Sequence, residues 1–210
     1  MKLNRKKIIA VSSVAGIVLV ILLYVLISES PECKAVEINF NKNESEGLIE
    51  KKDIEKLIFA QYENLIGLSI KEVDLALLEA VIEKHPSVKN AEVYKKVDGI
   101  LVADIENRIP IVRIMPKKGN DFYIDAEGQF LPVSRSVGSR VMIANGNINF
   151  QYSNNKLNIL HDSLVTNTLK DIWLIALHLS EDSFMKAQTE QIFVTENKEY
   201  ELIPKVGKHI

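Results

Sequence analysis

The sequence has 210 residues, with 26 basic and 28 acidic side chains and a single cysteine. One cysteine excludes an internal disulfide and a zinc site built from cysteines. The first 28 residues hold four basic residues and no acid, so the remainder carries a formal net charge of −6. That balance argues against a nucleic-acid partner, because phosphate binding needs a basic face.

An uncharged run from Ile8 to Ile27 predicts a transmembrane helix. About twenty residues at roughly 1.5 Å each match the hydrocarbon core of roughly 30 Å. Basic residues precede the run, so residues 1–7 are predicted to be a cytoplasmic stub and the chain beyond the span to be extracytoplasmic. A cleaved signal peptide is the alternative, but its apolar region is normally about 7–15 residues long and ends in small residues.

A strand and a helix are predicted next. Alternating apolar residues predict a strand over Ala35 to Phe40. Apolar residues at helical spacing then predict an amphipathic helix over Leu48 to Tyr62, with charged residues on its exposed side. Gly67 breaks this pattern.

A second helix is predicted over Ile70 to Lys84. Ser69 with Glu72 three positions later resembles a capping box at its start, and Pro86 follows its end. Its apolar face is predicted to contain Ile70, Val73, Leu77, Ala80 and Val81, widened by Leu75, Leu78 and Ile82.

A β-hairpin follows, with arms Val88 to Lys96 and Ile100 to Arg108 around Asp98-Gly99. Asp-Gly predicts a type I′ turn, which needs positive φ at both central residues. The order strand, helix, helix, strand, strand over residues 35–110 favours a small mixed sheet with both helices on one face. Its predicted buried face includes Ala91, Val93, Leu101, Ala103 and Ile105.

Residues 111–210 are predicted to form a mostly β domain with one helix. That helix is predicted over Leu164 to Leu179, where apolar residues form a broad face that includes Trp173. The fold class is therefore α+β, with a transmembrane helix ahead of two folded units. The predicted strands of the second unit are Ile111 to Met115, Asp121 to Ile124, Gln129 to Val133, Arg140 to Ala144, Gln191 to Thr195 and Glu199 to Ile203.

Four sequence motifs, which follow one predicted transmembrane helix in this order, resemble those of the FtsQ/DivIB family of bacterial cell-division proteins. They are HPSVKNAEV at residues 85–93, the strand phrase at 101–110, FYIDAEGQFLP at 122–132 and EYELIPKVG at 199–207. The resemblance implies a POTRA domain over residues 35–110, a β-rich domain after it, and a single-pass protein of the cell inner membrane.

The same resemblance implies a function. Members of the family act as divisome scaffolds that bind the membrane proteins FtsB and FtsL and regulate septal peptidoglycan synthesis without catalysis. Family chains usually continue through more strands, the last of which takes up these partners. We therefore expect this sequence to be a C-terminally incomplete version of the family pattern.

Partner binding is predicted at two places. The first hairpin arm is expected at a sheet edge, where Glu92 to Lys96 could accept a strand from another protein. An edge merely protected by lysines is the equally supported alternative. The second place, given by the resemblance, is the final hairpin. The predicted partner-binding residues are Glu92, Val93, Tyr94, Lys95, Phe193, Thr195, Tyr200 and Leu202.

No pattern predicts catalysis, a cofactor, a metal or a small-molecule substrate. The four histidines lack metal-ligand spacing. His161-Asp162-Ser163 contains the residue types of a hydrolase triad, but consecutive side chains do not normally converge, so a polar loop is predicted there. Two alternative functions stay open, a POTRA-bearing transport or secretion component and a membrane-anchored extracytoplasmic enzyme.

Overall fold

The computed structural model describes residues 14–22, 31–40, 48–133, 138–153 and 157–207. Residues 14–22 are helical, and the rest of the predicted span over residues 8–27 lies outside the described residues, as does the predicted stub. Within these described ranges, no helix is both long and apolar enough to cross a bilayer. The transmembrane helix stays a prediction.

The first folded unit is a three-stranded sheet with two helices. The strand order is β1-β3-β2, with β1 parallel to β3 and β2 antiparallel to it. The predicted order of strand, helix, helix, strand, strand is confirmed. The elements are β1 Ala35–Phe40, α1 Lys51–Gln61, α2 Leu75–Glu83, β2 Val88–Lys95 and β3 Ile100–Asn107.

The core of this unit lies between its sheet and its helices. Ile54 and Ile58 of α1 and Leu78 and Ile82 of α2 are fully buried. The predicted sheet face is confirmed, because all five of its residues are buried: Ala91, Val93, Leu101, Ala103 and Ile105.

The start of the second helix was predicted wrongly. Ser69 and Glu72 do not cap it; the N-cap is Asp74, whose carboxylate accepts the Leu77 N–H at 3.1 Å. Residues 67–70 instead form hydrogen bonds with the segment that precedes β1; for example, the Ile70 N–H donates to the Pro31 carbonyl. This pairing excludes a helix because the same backbone groups are already used.

The helix face was predicted correctly only in part. Leu77 is 38% exposed, Ala80 is exposed and Val81 is only half-buried. Helical spacing has to be counted from Leu75, since Ile70 and Val73 lie ahead of the helix. Counted in this way, the residues turned toward the core are Leu75, Leu78 and Ile82.

The hairpin turn differs from the predicted type I′. Gly99 has φ of 92°, whereas Asp98 is not among the described non-glycine residues with positive φ. The Gly99 N–H donates to the Lys96 carbonyl at 3.2 Å, and the Lys96 N–H donates to the Ile100 carbonyl at 2.8 Å. The connection is therefore longer than a two-residue type I′ turn, and Gly99 takes the left-handed conformation at its end.

The second unit is a six-stranded sheet in the order β6-β5-β4-β7-β8-β9. Pairs β4–β7 and β7–β8 are parallel, and the other pairs are antiparallel. Helix α3 crosses between β7 and β8 and packs on one face of the sheet. The elements are β4 Pro110–Ile114, β5 Phe122–Asp125, β6 Phe130–Pro132, β7 Met142–Gly146, α3 Asn167–Glu181, α4 Ser183–Gln188, β8 Thr189–Val194 and β9 Tyr200–Pro204.

Two predictions for this unit need correction. Helix α3 begins at Asn167, capped by Thr166, and not at Leu164, which is 75% exposed. A second short helix, α4, is present and was not predicted, because its six residues are too few to show helical periodicity. Trp173 lies in the core as predicted and donates its indole N–H to the Asp125 carbonyl at 3.0 Å.

Candidate partner-binding site

Strand β2 forms an edge of the first sheet, as predicted, but two of its outward N–H groups are occupied. The Val93 N–H donates to the carboxylate of Glu79 at 2.8 Å, and the Ala91 N–H donates to that of Glu83 at 3.3 Å. Both glutamates belong to α2. A strand added at this edge would first have to displace these two carboxylates.

The side chains predicted to bind partners at β2 have different environments. Val93 is in the core at 4% exposure, and Tyr94 is 38% exposed on the opposite face. Glu92 is exposed and Lys95 is half-buried, with its ammonium donating to the Val73 carbonyl at 2.9 Å. Partner binding by these residues stays a prediction.

Strand β1 forms the other edge, and it is more open. The Cys33 N–H points away from β3 and donates to the Leu68 carbonyl, whereas the Lys34 N–H donates toward β3, to Gly99. Because strand N–H groups alternate in direction, those of Ala35 and Asn39 also point away from β3. Both residues are exposed, and no hydrogen bond from either N–H to another described residue is present.

Strand β9 is the edge of the second sheet that carries the predicted final hairpin. The Thr195 N–H donates to the Glu199 carbonyl, and the Lys205 N–H donates to the Gln188 carbonyl. By alternation the N–H groups of Tyr200 and Leu202 point outward, away from β8. Within the described part of the chain these two donors have no acceptor. The next outward position is Pro204, which has no N–H, so the series of outward donors ends there.

The side chains of β9 hold this edge strand on the core. Tyr200 and Leu202 pack against the buried apolar core of the second unit. The Tyr200 hydroxyl donates to the Asp171 carboxylate of α3 at 2.8 Å. Burial, helped by this hydrogen bond, raises the pKa of Tyr200 to about 12. The strand is therefore anchored through its side chains, and no described residue occupies its outward N–H groups.

Of the other two predicted residues of this hairpin, Phe193 lies on β8, and Thr195 follows the end of that strand. Phe193 is half-buried and pairs with Glu201 on the sheet face opposite the one that bears Tyr200. Thr195 begins the turn, and its hydroxyl accepts the Glu199 N–H at 3.1 Å. Of the four predicted residues, the structure brings Tyr200 and Leu202 to the open edge and gives Thr195 a turn-forming role.

A cluster of charged side chains joins the two sheets. Arg108 donates to Asp125 at 2.8 Å and to Glu127 at 2.9 Å, and Lys89 reaches Glu127 at 2.6 Å. Burial raises the pKa of Asp125, and the hydrogen bond from Arg108 opposes that rise. The hydrogen bond from Lys89 lowers the pKa of Glu127. The cluster links the turn after β5 to β2 and to the segment between β3 and β4.

Sequence reasoning missed the acceptors at β2 and the charged cluster. Glu79 and Glu83 have a helical i, i+4 spacing, so the signal for two carboxylates on one side of α2 was present. Nothing in the sequence showed that this side would face a strand edge.

The residue types considered for catalysis do not converge. Asp162 accepts the Asn158 N–H at 2.6 Å and so closes a loop. Over the ranges that the structure describes, no group of three or more His, Cys, Asp or Glu side chains could hold a metal ion. Cys33 is buried and unpaired, and burial raises the pKa of its thiol.

Comparison with known families gives two adjoining matches. Residues 31–106 match a model described as a POTRA-like domain, and residues 109–210 match one described as FtsQ/DivIB, C-terminal related. The matches meet between the three-stranded and the six-stranded sheets. The search of curated proteins found no match.

Proposed function

The chain belongs to the FtsQ/DivIB family of cell-division proteins, and on that premise we propose that it is a membrane-anchored scaffold of the bacterial divisome. It binds other division proteins and regulates septal peptidoglycan synthesis without catalysing it. The order of the two family matches is the observation that carries this proposal. A transport or secretion role has less support, because residues 109–210 match the division-related model.

The proposed arrangement has four parts. Residues 1–7 form a cytoplasmic stub, and residues 8–27 form the single span of the inner membrane. Residues 35–110 form the POTRA domain, and residues 111–210 form the β-rich domain, both on the extracytoplasmic side. The partners are membrane proteins of the FtsB and FtsL type.

We propose that these partners bind by adding a strand to β9. Two outward N–H groups, those of Tyr200 and Leu202, lack an acceptor in the described residues. An extended peptide satisfies such donors through its own carbonyls, which is the usual mode of recognition at a sheet edge. The open β1 edge of the first sheet is the second candidate for the same mode.

The test is a pull-down of the full chain, purified in detergent, with the FtsB and FtsL ectodomains. Leu202→Pro removes one outward N–H, whereas Leu202→Ala shortens the side chain even further but keeps that N–H. We expect capture by the unaltered chain and by Leu202→Ala, and loss of capture with Leu202→Pro.

Two results would contradict the proposal at different levels. Equal capture by both Leu202 variants would place the contact away from the β9 edge. The matched pair Asn39→Pro and Asn39→Ala would then test β1 in the same way. Failure of the unaltered chain to capture either ectodomain would reject FtsB- and FtsL-type partners.

A further inference from the structure

A cavity of about 370 Å³ lies where strands β4, β7 and β8 begin. The end of α3, helix α4 and the residue after β9 close its other sides. This cavity is separate from the outward edge of β9 and from the charged cluster around Arg108. Its lining mixes cationic and apolar side chains.

The charge of the lining is unusual for this chain. Four cationic side chains, Arg113, Arg140, Lys186 and Lys205, surround the cavity with one acid, Glu190. The chain beyond residue 28 is acidic overall, with a formal net charge of −6. The cavity is therefore a local concentration of positive charge on an acidic protein.

Three of the four cations have no ion-pair partner among the residues that the structure describes. Arg113 is held by Asp121 at 2.7 Å and lies 5.8 Å from the ring centre of Tyr123. Arg140, Lys186 and Lys205 are exposed, and none of them has an ion-pair partner within the described part of the chain. Some exposed cations elsewhere are paired, as Lys96 with Glu37 and Lys117 with Glu196, whereas others, such as Lys71 and Lys118, also lack an ion pair among the described residues. What sets Arg140, Lys186 and Lys205 apart is that they surround one cavity.

The physical consequence is a preference for an anion. A cleft lined by charge of one sign focuses the electric field and concentrates counter-ions. Several unpaired cations favour a group with more than one charge or several acceptor oxygens, and phosphate supplies both. The remaining lining includes Pro110, Ile111, Val141 and Ile143, which favours a ligand that also has an apolar part.

We propose that this cavity binds a phosphate ester that carries an apolar group. The source is a phospholipid headgroup or a soluble phosphate ester, since both present the same chemistry. Arg140, Lys186 and Lys205 contact the phosphate, and Arg113 contributes a fixed positive charge. This site does not depend on strand addition at β9 or on the identity of the division partners.

The experiment uses the full chain in a non-ionic detergent and two kinds of probe. Isothermal titration calorimetry measures binding of inorganic phosphate and of phenyl phosphate. Native mass spectrometry measures retention of phosphatidylglycerol against phosphatidylcholine. The cavity variant carries Arg140→Ser, Lys186→Ser and Lys205→Ser. The control variant carries Lys34→Ser, Lys71→Ser and Lys118→Ser, which makes the same change in charge at exposed positions.

We expect saturable binding of phenyl phosphate or selective retention of phosphatidylglycerol, at least tenfold weaker in the cavity variant and unchanged in the control variant. The probe that binds identifies the source. Absence of saturable binding by every probe overturns the proposal, and so does an equal loss in both variants. If the triple cavity variant fails to fold, the single variant Lys186→Ser is used, and an unchanged affinity there counts against the site.

Discussion

Arg108, between β3 and β4, donates a hydrogen bond of 2.8 Å to Asp125 at the end of β5. Only 17% of the Arg108 side chain and 5% of the Asp125 side chain are exposed. Arg108 lies in the segment that connects the first sheet to the second, and Asp125 belongs to the second sheet. The pair therefore ties the connecting segment to the second sheet. A charge that is so deeply buried depends strongly on its partner.

We expect Arg108→Ala to lower the free energy of unfolding by about 3 kcal/mol near neutral pH, because it leaves the Asp125 carboxylate buried without its cation. The pKa of Asp125, already raised by burial, should rise further. The loss should be full above that raised pKa and should shrink as the pH falls through it, because Asp125 then becomes neutral. Urea unfolding at several pH values measures this, with Lys118→Ala as an exposed control, and a loss independent of pH would contradict it.

The corrected face of α2 gives a second prediction. Leu78 is fully buried, whereas the preceding residue, Leu77, is 38% exposed. Leu78→Ala should cost about 3 kcal/mol because it removes core contacts and leaves a cavity. Leu77→Ala should cost less than about 0.5 kcal/mol. Chemical unfolding of both variants checks this, and equal costs would mean that the helix is rotated from the orientation described.

The cover of the β2 edge gives a third prediction. Glu79→Ala should speed hydrogen exchange of the Val93 amide, because the acceptor 2.8 Å from its nitrogen is lost. Glu79→Gln keeps an acceptor oxygen and should change the exchange much less. The Val102 amide, in the central strand, serves as the internal reference. Unchanged exchange at Val93 in Glu79→Ala would show that the carboxylate does not protect this edge.

The anchoring of β9 gives a fourth prediction. The pKa of Tyr200 is raised to about 12, chiefly by burial and then by its hydrogen bond to Asp171. Between roughly pH 10 and that value the unfolded chain loses the Tyr200 proton while the folded chain keeps it, so the free energy of unfolding falls as the pH rises.

Spectrophotometric titration of tyrosinate, compared between the unaltered chain and Tyr200→Phe, isolates this group. The difference should show one tyrosine that ionises near pH 12. Tyr200→Phe should also remove the contribution of this residue to the loss of stability at high pH. A difference curve centred near pH 10 would contradict the description.

Much of the local structure followed from periodicity alone. The hairpin faces with Ala91, Val93 and Leu101, the burial of Trp173 and the order of elements in the first unit were predicted correctly, because apolar spacing is a local property of the chain. The start of α2 was predicted wrongly because hydrogen bonds between segments far apart in the chain overrode the local sequence pattern. Ser69 looked like a helix cap, but the chain ahead of β1 pairs with its segment, so the helix begins five residues later than predicted.

The same contrast between local sequence pattern and long-range packing applies to the candidate partner-binding site. The sequence by itself predicted the strands, the alternation of their apolar side chains and one edge strand, β2. Only the tertiary structure decided that the carboxylates of Glu79 and Glu83 accept two outward N–H groups of β2, while two outward N–H groups of β9 have no acceptor among the described residues. It also decided that Arg140, Lys186 and Lys205 surround one cavity. These relationships join residues far apart in the chain, and their positions are set by the packing of helices and strands, which local spacing does not encode.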